Sequence, residues 1–122
     1  YEFSEHKTAA DAAEPVQGVV FQVTNPDEAA DDFVRFSAIA EGALFTRDLT
    51  NEPANVLTTT EFANRLAELT EIGLEVEVLE EDQLAELGMR TLLSVGHGSD
   101  SPSKVVVMQW KGGEEGAAPL AR

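Results

Sequence analysis

The amino-acid sequence predicts an incomplete α/β fold with two parts joined by a long helix. Residues 1–24 have the pattern expected at the end of an N-terminal α/β domain, residues 25–51 form the helical pattern, and residues 52–122 open a second α/β domain. Two observations support this division. The helical pattern continues without a break up to Glu52-Pro53, and beyond it strand-type and helix-type patterns alternate, which is typical of α/β layers. The helix is therefore predicted to link two domains.

Composition and charge exclude several classes of function. The 122 residues leave room for one modest core, and the 43% hydrophobic content argues against disorder. With 23 acidic and 8 basic residues the net charge is −15, which repels nucleic acid and anionic lipid; a solubilising acidic surface explains it most simply. The chain has no cysteine and no apolar run of membrane-spanning length, so a cytoplasmic location fits best. We expect no nucleic-acid partner and no membrane.

The chain is expected to be cut at both ends. It opens without an initiator methionine and stops at Arg122, just after Pro119-Leu120, where a new strand would begin. Residues 8–15 are rich in alanine and acidic side chains and are predicted to form a loop. Residues 16–23 are dense in β-branched side chains and are predicted to form a short buried strand, the last one of the preceding domain.

The long helix is predicted over residues 26–49. Asn25 is a favourable N-cap because its side-chain oxygen can accept an unpaired N–H of the first turn, and Pro26 suits the first helical position. Glu52-Pro53 ends the helix, since the residue before a proline is disfavoured in helical geometry. Apolar residues at three- and four-residue steps form one stripe, composed of Phe33, Phe36, Ala40, Ala43 and Leu44.

A second helix is predicted to begin after Thr58. Thr58 and Glu61 have the spacing of a capping box, and Gly73 supplies the left-handed residue that ends the helix. Its inner face is predicted to consist of Phe62, Leu66, Leu69 and Ile72.

Three strands and one short helix are predicted in the remainder. Residues 74–78 alternate apolar and acidic, which indicates a strand with Glu75 and Glu77 facing solvent. The short helix turns Leu84 and Leu87 inward and stops at Gly88.

After the short helix, residues 92–95 are predicted to form a strand and residues 96–103 a turn-rich loop. Residues 105–110 are a nearly continuous apolar run, predicted to be a central strand buried on both faces. Trp110 and the phenylalanines are most simply core residues. If no neighbouring strand is present, this run invites association, so the chain alone is expected to behave poorly.

Few residues could carry chemistry. The turn at residues 96–99, Gly-His-Gly-Ser, could expose backbone N–H groups to a phosphate, but it lacks the lysine and the following helix of a nucleotide loop. A plain tight turn is the simpler interpretation. The alternative of a nucleotide-binding domain rests on this turn alone.

The side chains near that turn do not complete a site. His97 and Asp100 fall short of the three or four ligands of a usual metal site, and His6 has no candidate partner. Ser94 and Ser99 lie near His97 in sequence but lack the strand-to-helix elbow of a serine hydrolase. The neighbouring carboxylates could attract divalent ions only loosely and without selectivity; they are Glu75, Glu77, Glu80, Glu81 and Asp82.

Four motifs follow one another along the chain. They are RDLTNEPANVLT at residues 47–58, EEDQLAELGM at 80–89, SVGHGS at 94–99 and VVVMQWKG at 105–112. In order and spacing they resemble the leucyl aminopeptidase (cytosol aminopeptidase) family of metallopeptidases, over nearly the whole chain. The family commonly has glutamine at the position of His97, and the connector at residues 8–15 has no clear counterpart.

The resemblance implies a subunit with an N-terminal domain, the linking helix and a C-terminal catalytic domain, of which residues 52–122 are the truncated first part. It also implies a hexamer and two divalent metal ions, manganese or zinc, that bind the free amine of a peptide, polarise the scissile carbonyl and activate a water molecule. The peptide substrate would lose its N-terminal residue, often leucine. The family's metal ligands and catalytic arginine would lie beyond Arg122.

No residue of this chain matches a ligand position of that family, so no catalytic, cofactor-binding or metal-binding residue is assigned. The chain alone is expected to be inactive and to bind no metal. The competing hypothesis is a noncatalytic binding or assembly module derived from the same family.

Overall fold

The computed structural model describes residues 16–118. By its internal contacts, the chain divides into two compact units: the first is Tyr1–Glu52 and the second is Pro53–Arg122. The predictions for residues 1–15, among them the loop at 8–15 and His6, and for the strand beginning at Pro119 lie outside the described residues. Within the described residues, no helix is both long enough and apolar enough to cross a membrane.

Residues 16–118 contain seven elements in chain order. They are α1 (Pro26–Asn51), α2 (Thr59–Ala67), a 3₁₀ turn (Glu68–Ile72), β1 (Glu75–Leu79), α3 (Glu81–Glu86), α4 (Arg90–Gly96) and β2 (Val105–Gln109). Helices around a small sheet confirm the predicted α/β class. The finer division into an end domain, a linking helix and a catalytic domain stays a prediction.

In the first unit, residues 16–23 are not a strand. They form irregular backbone, and all eight are exposed. The prediction of a buried strand was wrong in this structure because β-branched composition favours a strand only where another strand pairs with it, and no described strand does so.

Helix α1 is 26 residues long, two residues longer than predicted at its C-terminal end. Asn25 does precede the helix, but its side chain does not cap a backbone N–H; its Nδ2 donates to Glu28 Oε2 at 3.0 Å. Glu52 is extended, with φ −65° and ψ 136°, as expected before Pro53. No residue of α1 is buried, so its apolar stripe, including Phe33 and Phe36, is not a core face within the described residues.

Helix α2 begins where the sequence predicts. Thr58 Oγ1 accepts the N–H of Glu61 at 3.2 Å, and the left-handed Gly73, with φ 96°, ends the segment after the 3₁₀ turn. The inner face is narrower than predicted. Leu66 is buried and Leu69 is half-buried, whereas the predicted core residues Phe62 and Ile72 are exposed.

Strands β1 and β2 form a two-stranded antiparallel sheet in which Glu75 lies opposite Gln109 and Leu79 opposite Val105. Helix α2 packs against both strands. The prediction that Glu75 and Glu77 face solvent is confirmed. The prediction of a central strand at residues 105–110 was wrong for the described residues, because β2 pairs on one side only and is at most half-buried.

Residues 92–95 are part of helix α4, so the strand predicted there was wrong. A short apolar run does not distinguish a buried strand from a buried helix turn, and leucine favours a helix. The left-handed Gly88, with φ 75°, ends α3 and turns the chain into α4, and the two helices pack together.

The core of the second unit is small. Among the described residues, the buried apolar side chains are Ala63, Leu66 and Leu84, and Leu84 is fully enclosed. Leu84 faces inward as predicted, but its partner Leu87 is exposed. The prediction that Trp110 is a core residue was also wrong, since 67% of its surface is exposed.

Candidate functional site

An open cleft of about 440 Å³ lies in the second unit, between α3, α4 and the loop that leads to β2. Half of the residues that the sequence marked for possible chemistry line it. Its lining consists of Glu81, Asp82, Ala85, Leu93, Gly96, His97, Ser99, Asp100 and Pro102. His97 and the three carboxylates that line it are exposed to solvent.

The start of α3 is fixed by side-chain hydrogen bonds. Gln83 Oε1 accepts the N–H of Glu80 at 2.9 Å, which closes the first turn. Glu80 also accepts from Lys104 Nζ at 2.6 Å. Glu81 Oε1 accepts the N–H of Ser103 at 2.7 Å. Both acidic residues thus hold the chain that enters β2, which accounts for them without a catalytic role.

The loop opposite α3 is held as tightly. Thr59 Oγ1 donates to the carbonyl of Pro102 at 2.7 Å, which ties the loop to the start of α2. Ser103 is buried, and its hydroxyl lies where a side chain on Gly96 would begin, so a Cβ on Gly96 would overlap Ser103 Oγ. Glycine is favoured at position 96 because Ser103 approaches its Cα closely. A left-handed backbone is not the reason, because the φ of Gly96 is not positive.

The turn at residues 96–99 is a plain turn that follows a helix, not a strand. The N–H of Ser99 donates to the carbonyl of Gly96 at 2.9 Å. A nucleotide loop precedes a helix whose N-terminus faces the phosphate, whereas here α4 ends at the turn and presents its C-terminal, electronegative end. The phosphate-binding alternative is thereby disfavoured.

Serine-hydrolase chemistry also lacks support. Ser94 Oγ donates to the carbonyl of Thr91 at 2.7 Å, and Ser99 Oγ accepts the N–H of Ser101 at 3.1 Å. No hydrogen bond joins either hydroxyl to His97 within the described part of the chain. A nucleophile needs a base within hydrogen-bonding reach, and this arrangement does not provide one.

A metal site needs several donor groups that converge on one point. Within residues 16–118, no three histidine or carboxylate side chains come together in a group that could hold a metal ion. Glu75 is engaged by Lys111 Nζ at 2.8 Å, and Glu77 lies beside it on the exposed face of β1. The described residues do not fit a two-metal centre. That the chain contains no catalytic, cofactor-binding or metal-binding residue stays a prediction.

The geometry of the cleft does not identify a function, but comparison with known proteins identifies a family. Residues 44–121 match the cytosol aminopeptidase family, catalytic domain. The chain belongs to the cytosol aminopeptidase family. This match confirms the predicted resemblance, and it covers α2, β1, α3, the cleft and β2.

Relatives in the cytosol aminopeptidase family align along almost the entire chain. A protein named probable cytosol aminopeptidase from Cereibacter sphaeroides is 56% identical over 122 residues, which are 99% of this chain and 24% of the relative. The protein of the same name from Dinoroseobacter shibae is 54% identical over 117 residues, 96% of this chain and 24% of the relative. The chain thus spans about a quarter of the length of these relatives. No solved structure matches it.

Sequence reasoning missed the long-range hydrogen bonds that hold the elements around the cleft together. Thr59, Glu81 and Ser103 are joined by hydrogen bonds between positions far apart in sequence, and single-sequence patterns carry no signal for such contacts. Gly96 was noticed, but as a turn residue. Its second role becomes visible only when Ser103 is placed against it.

Proposed function

We propose that this chain is part of a cytosolic metalloaminopeptidase that removes N-terminal residues, often leucine, from peptides. One observation carries the proposal: residues 44–121 match the catalytic domain of the cytosol aminopeptidase family, and relatives up to 56% identical over 122 residues are named probable cytosol aminopeptidases. A peptide substrate and a hexameric assembly belong to the same proposal, as does the lack of nucleic-acid and membrane partners.

The described residues contribute scaffold to this function. Two hydrogen bonds beside the cleft hold α3, the loop and the start of α2 together: Glu81 accepts the N–H of Ser103, and Thr59 donates to the carbonyl of Pro102. Such bonds fix the entry of β2 against α2 and α3. We therefore assign these residues to the support of a catalytic domain and not to its chemistry.

The proposed cofactors are two divalent ions, manganese or zinc. When bound, such a pair supplies Lewis-acid activation of a carbonyl and of a water molecule. The described residues do not supply the converging ligands that two ions need, so no step of the reaction is assigned to them. The chain alone is accordingly proposed to be inactive.

The test is a graft into a full-length relative. The 122 residues replace the aligned segment of the Cereibacter sphaeroides protein, whose alignment covers 99% of this chain. We expect the graft to hydrolyse a leucine anilide in the presence of Mn²⁺ or Zn²⁺, with a chelator removing the activity. The unaltered relative is the positive control, and the 122-residue chain alone should show no chelator-sensitive turnover.

Two outcomes would contradict the proposal. Chelator-sensitive turnover that copurifies with the 122-residue chain would show that it contains its own centre. A folded but inactive graft beside an active relative would favour the alternative, a noncatalytic binding or assembly module derived from the family.

A further inference from the structure

We propose that Trp110 is a clasp that holds the segment after β2 against the start of β1, and that the clasp opens when salt screens the ion pair beside it. The segment consists of residues 111–116, Lys-Gly-Gly-Glu-Glu-Gly. This conformational device lies within the second unit and goes beyond the proposed function. It does not depend on the peptidase assignment.

The indole of Trp110 is held by two glycines. Gly73 lies beside the six-membered ring, where a Cβ would come within 3.3 Å of Cζ3, and a Cβ on Gly112 would overlap Nε1 of the pyrrole ring. Gly73 has a φ of 96°, which by itself favours glycine, whereas the φ of Gly112 is not positive. Close approach of the indole is therefore the reason that favours glycine at position 112.

An ion pair attaches the next residue of the segment to β1. Lys111 Nζ lies 2.8 Å from Oε1 and 2.7 Å from Oε2 of Glu75, the first residue of β1. Glu75 lies opposite Gln109, the last residue of β2, so the lysine reaches back across the end of the strand pair. The indole and the lysine thus attach adjacent positions of the chain to the residues that begin β1.

Both attachments are weak. Because 67% of Trp110 is exposed, the indole gives up little buried apolar surface when it leaves the glycines. The side chains of Lys111 and Glu75 are 67% and 61% exposed, and ion pairs so exposed contribute little to stability and are screened by salt. Three of the six residues in the segment are glycine, which gives the open chain many conformations. Opening therefore costs little free energy, and ionic strength shifts the equilibrium.

Trypsin cleavage after Lys111 measures how often the clasp opens, because a protease cuts in proportion to the open population when opening is fast. Each rate in the 122-residue chain is divided by the rate in a peptide of residues 106–118 with the same substitution, which removes direct effects on the protease. Gly112→Ala fills the space of the indole and should raise this ratio by about ten-fold. Gly113→Ala has open space around it and is the matched control, with an expected change below about two-fold.

The fluorescence of Trp110, the one tryptophan of the chain, identifies the group that moves. Gly112→Ala should shift its emission to that of the peptide, and Gly113→Ala should leave it at that of the parent chain. Faster cleavage with unchanged emission would show that the indole is not the clasp. Equal ratios for the two alanine variants, or a parent chain cut as fast as the peptide, would overturn the proposal.

Salt tests the ion pair without any change at the glycines. Raising the salt concentration from about 0.1 M to about 1 M shortens the Debye length from about 10 Å to about 3 Å and should raise the parent's ratio by about three-fold. Glu75→Gln should show the raised ratio already at low salt and lose the salt response. Glu77→Gln, on the same exposed face of β1, should keep it. No salt response in the parent chain, or one that survives Glu75→Gln, would overturn the salt-sensitive clasp.

Discussion

Helix α1 and the second unit differ in what determines their structure. Helix α1 begins at Pro26 and ends before Glu52-Pro53, close to where local signals place it, yet none of its residues is buried. The second unit has a small core around Leu84 and hydrogen bonds between distant elements, such as Thr59 with Pro102. Local chemistry can thus fix where a helix starts and stops, whereas it cannot say which face becomes a core.

The comparison predicts that truncating a large apolar side chain lowers stability strongly in the second unit and hardly at all in α1. Leu84 is 0% exposed, so Leu84→Ala should lower the free energy of unfolding of the second unit by about 2–5 kcal/mol. Phe33 is 68% exposed on α1, and Phe33→Ala should change the free energy of unfolding of the chain by less than about 0.5 kcal/mol. Urea titrations followed by circular dichroism and by the fluorescence of Trp110 measure both. A comparable loss for Phe33→Ala would show that α1 is packed in solution.

The same contrast appears with a change of sign at two glycines. A Cβ on Gly96 would overlap Ser103 Oγ, so Gly96→Ala should destabilise the second unit by about 1–3 kcal/mol. Gly42 lies within α1 with open space around it, and Gly42→Ala should raise the stability of the helix by about 1 kcal/mol. Helix content by circular dichroism and the urea midpoint are the measurements.

A double variant checks the cause at Gly96. Ser103→Ala removes the hydroxyl that the new methyl group meets, so Gly96→Ala/Ser103→Ala should recover part of the loss. No recovery would show that the overlap is not the reason for a glycine at this position.

The residues that precede α1 and α2 provide a third comparison, with smaller expected changes in stability. Thr58 accepts the N–H of Glu61, so Thr58→Ala should lower the stability of the second unit by about 1 kcal/mol. Asn25 makes no such bond, and Asn25→Ala should cost less than about 0.5 kcal/mol. The measurement is the thermal unfolding midpoint of each variant, compared with that of the parent chain. Equal losses would mean that Asn25 does cap α1 in solution.

These pairs show how far the sequence carries the fold. Caps, prolines and glycines act over three or four residues, which is why the starts of α1 and α2, the end at Gly73 and the alternating strand β1 were predictable. Residues 92–95 were assigned to the wrong class because a run of four residues with three apolar side chains is compatible with either a strand or a helix. Burial was misjudged at Trp110 because the residue type does not show whether another element packs over the side chain, and 67% of Trp110 is exposed.

The candidate site shows the same limit more sharply. His97 and the glycines of residues 96–99 were visible as unusual residues, but the residues near them include Ser103 and Glu81, which no motif links to them. The family was recognisable because four motifs in order carry information about the whole domain. The physical pattern of one segment carries no such information about residues outside it.

The smallest expected effect concerns His97, which belongs to the packed unit but should behave like the surface of α1. It follows the last turn of α4, is exposed to solvent and makes no hydrogen bond to Ser94 or Ser99 within the described residues. His97→Gln in the grafted full-length protein should therefore leave kcat/KM within about two-fold of the unsubstituted graft. Lys104→Met, which removes the ion pair with Glu80, serves as a structural control that should alter stability without a specific effect on turnover. A loss of about 100-fold or more for His97→Gln, equivalent to about 2.7 kcal/mol of transition-state stabilisation, would contradict the comparison and place the loop in the reaction.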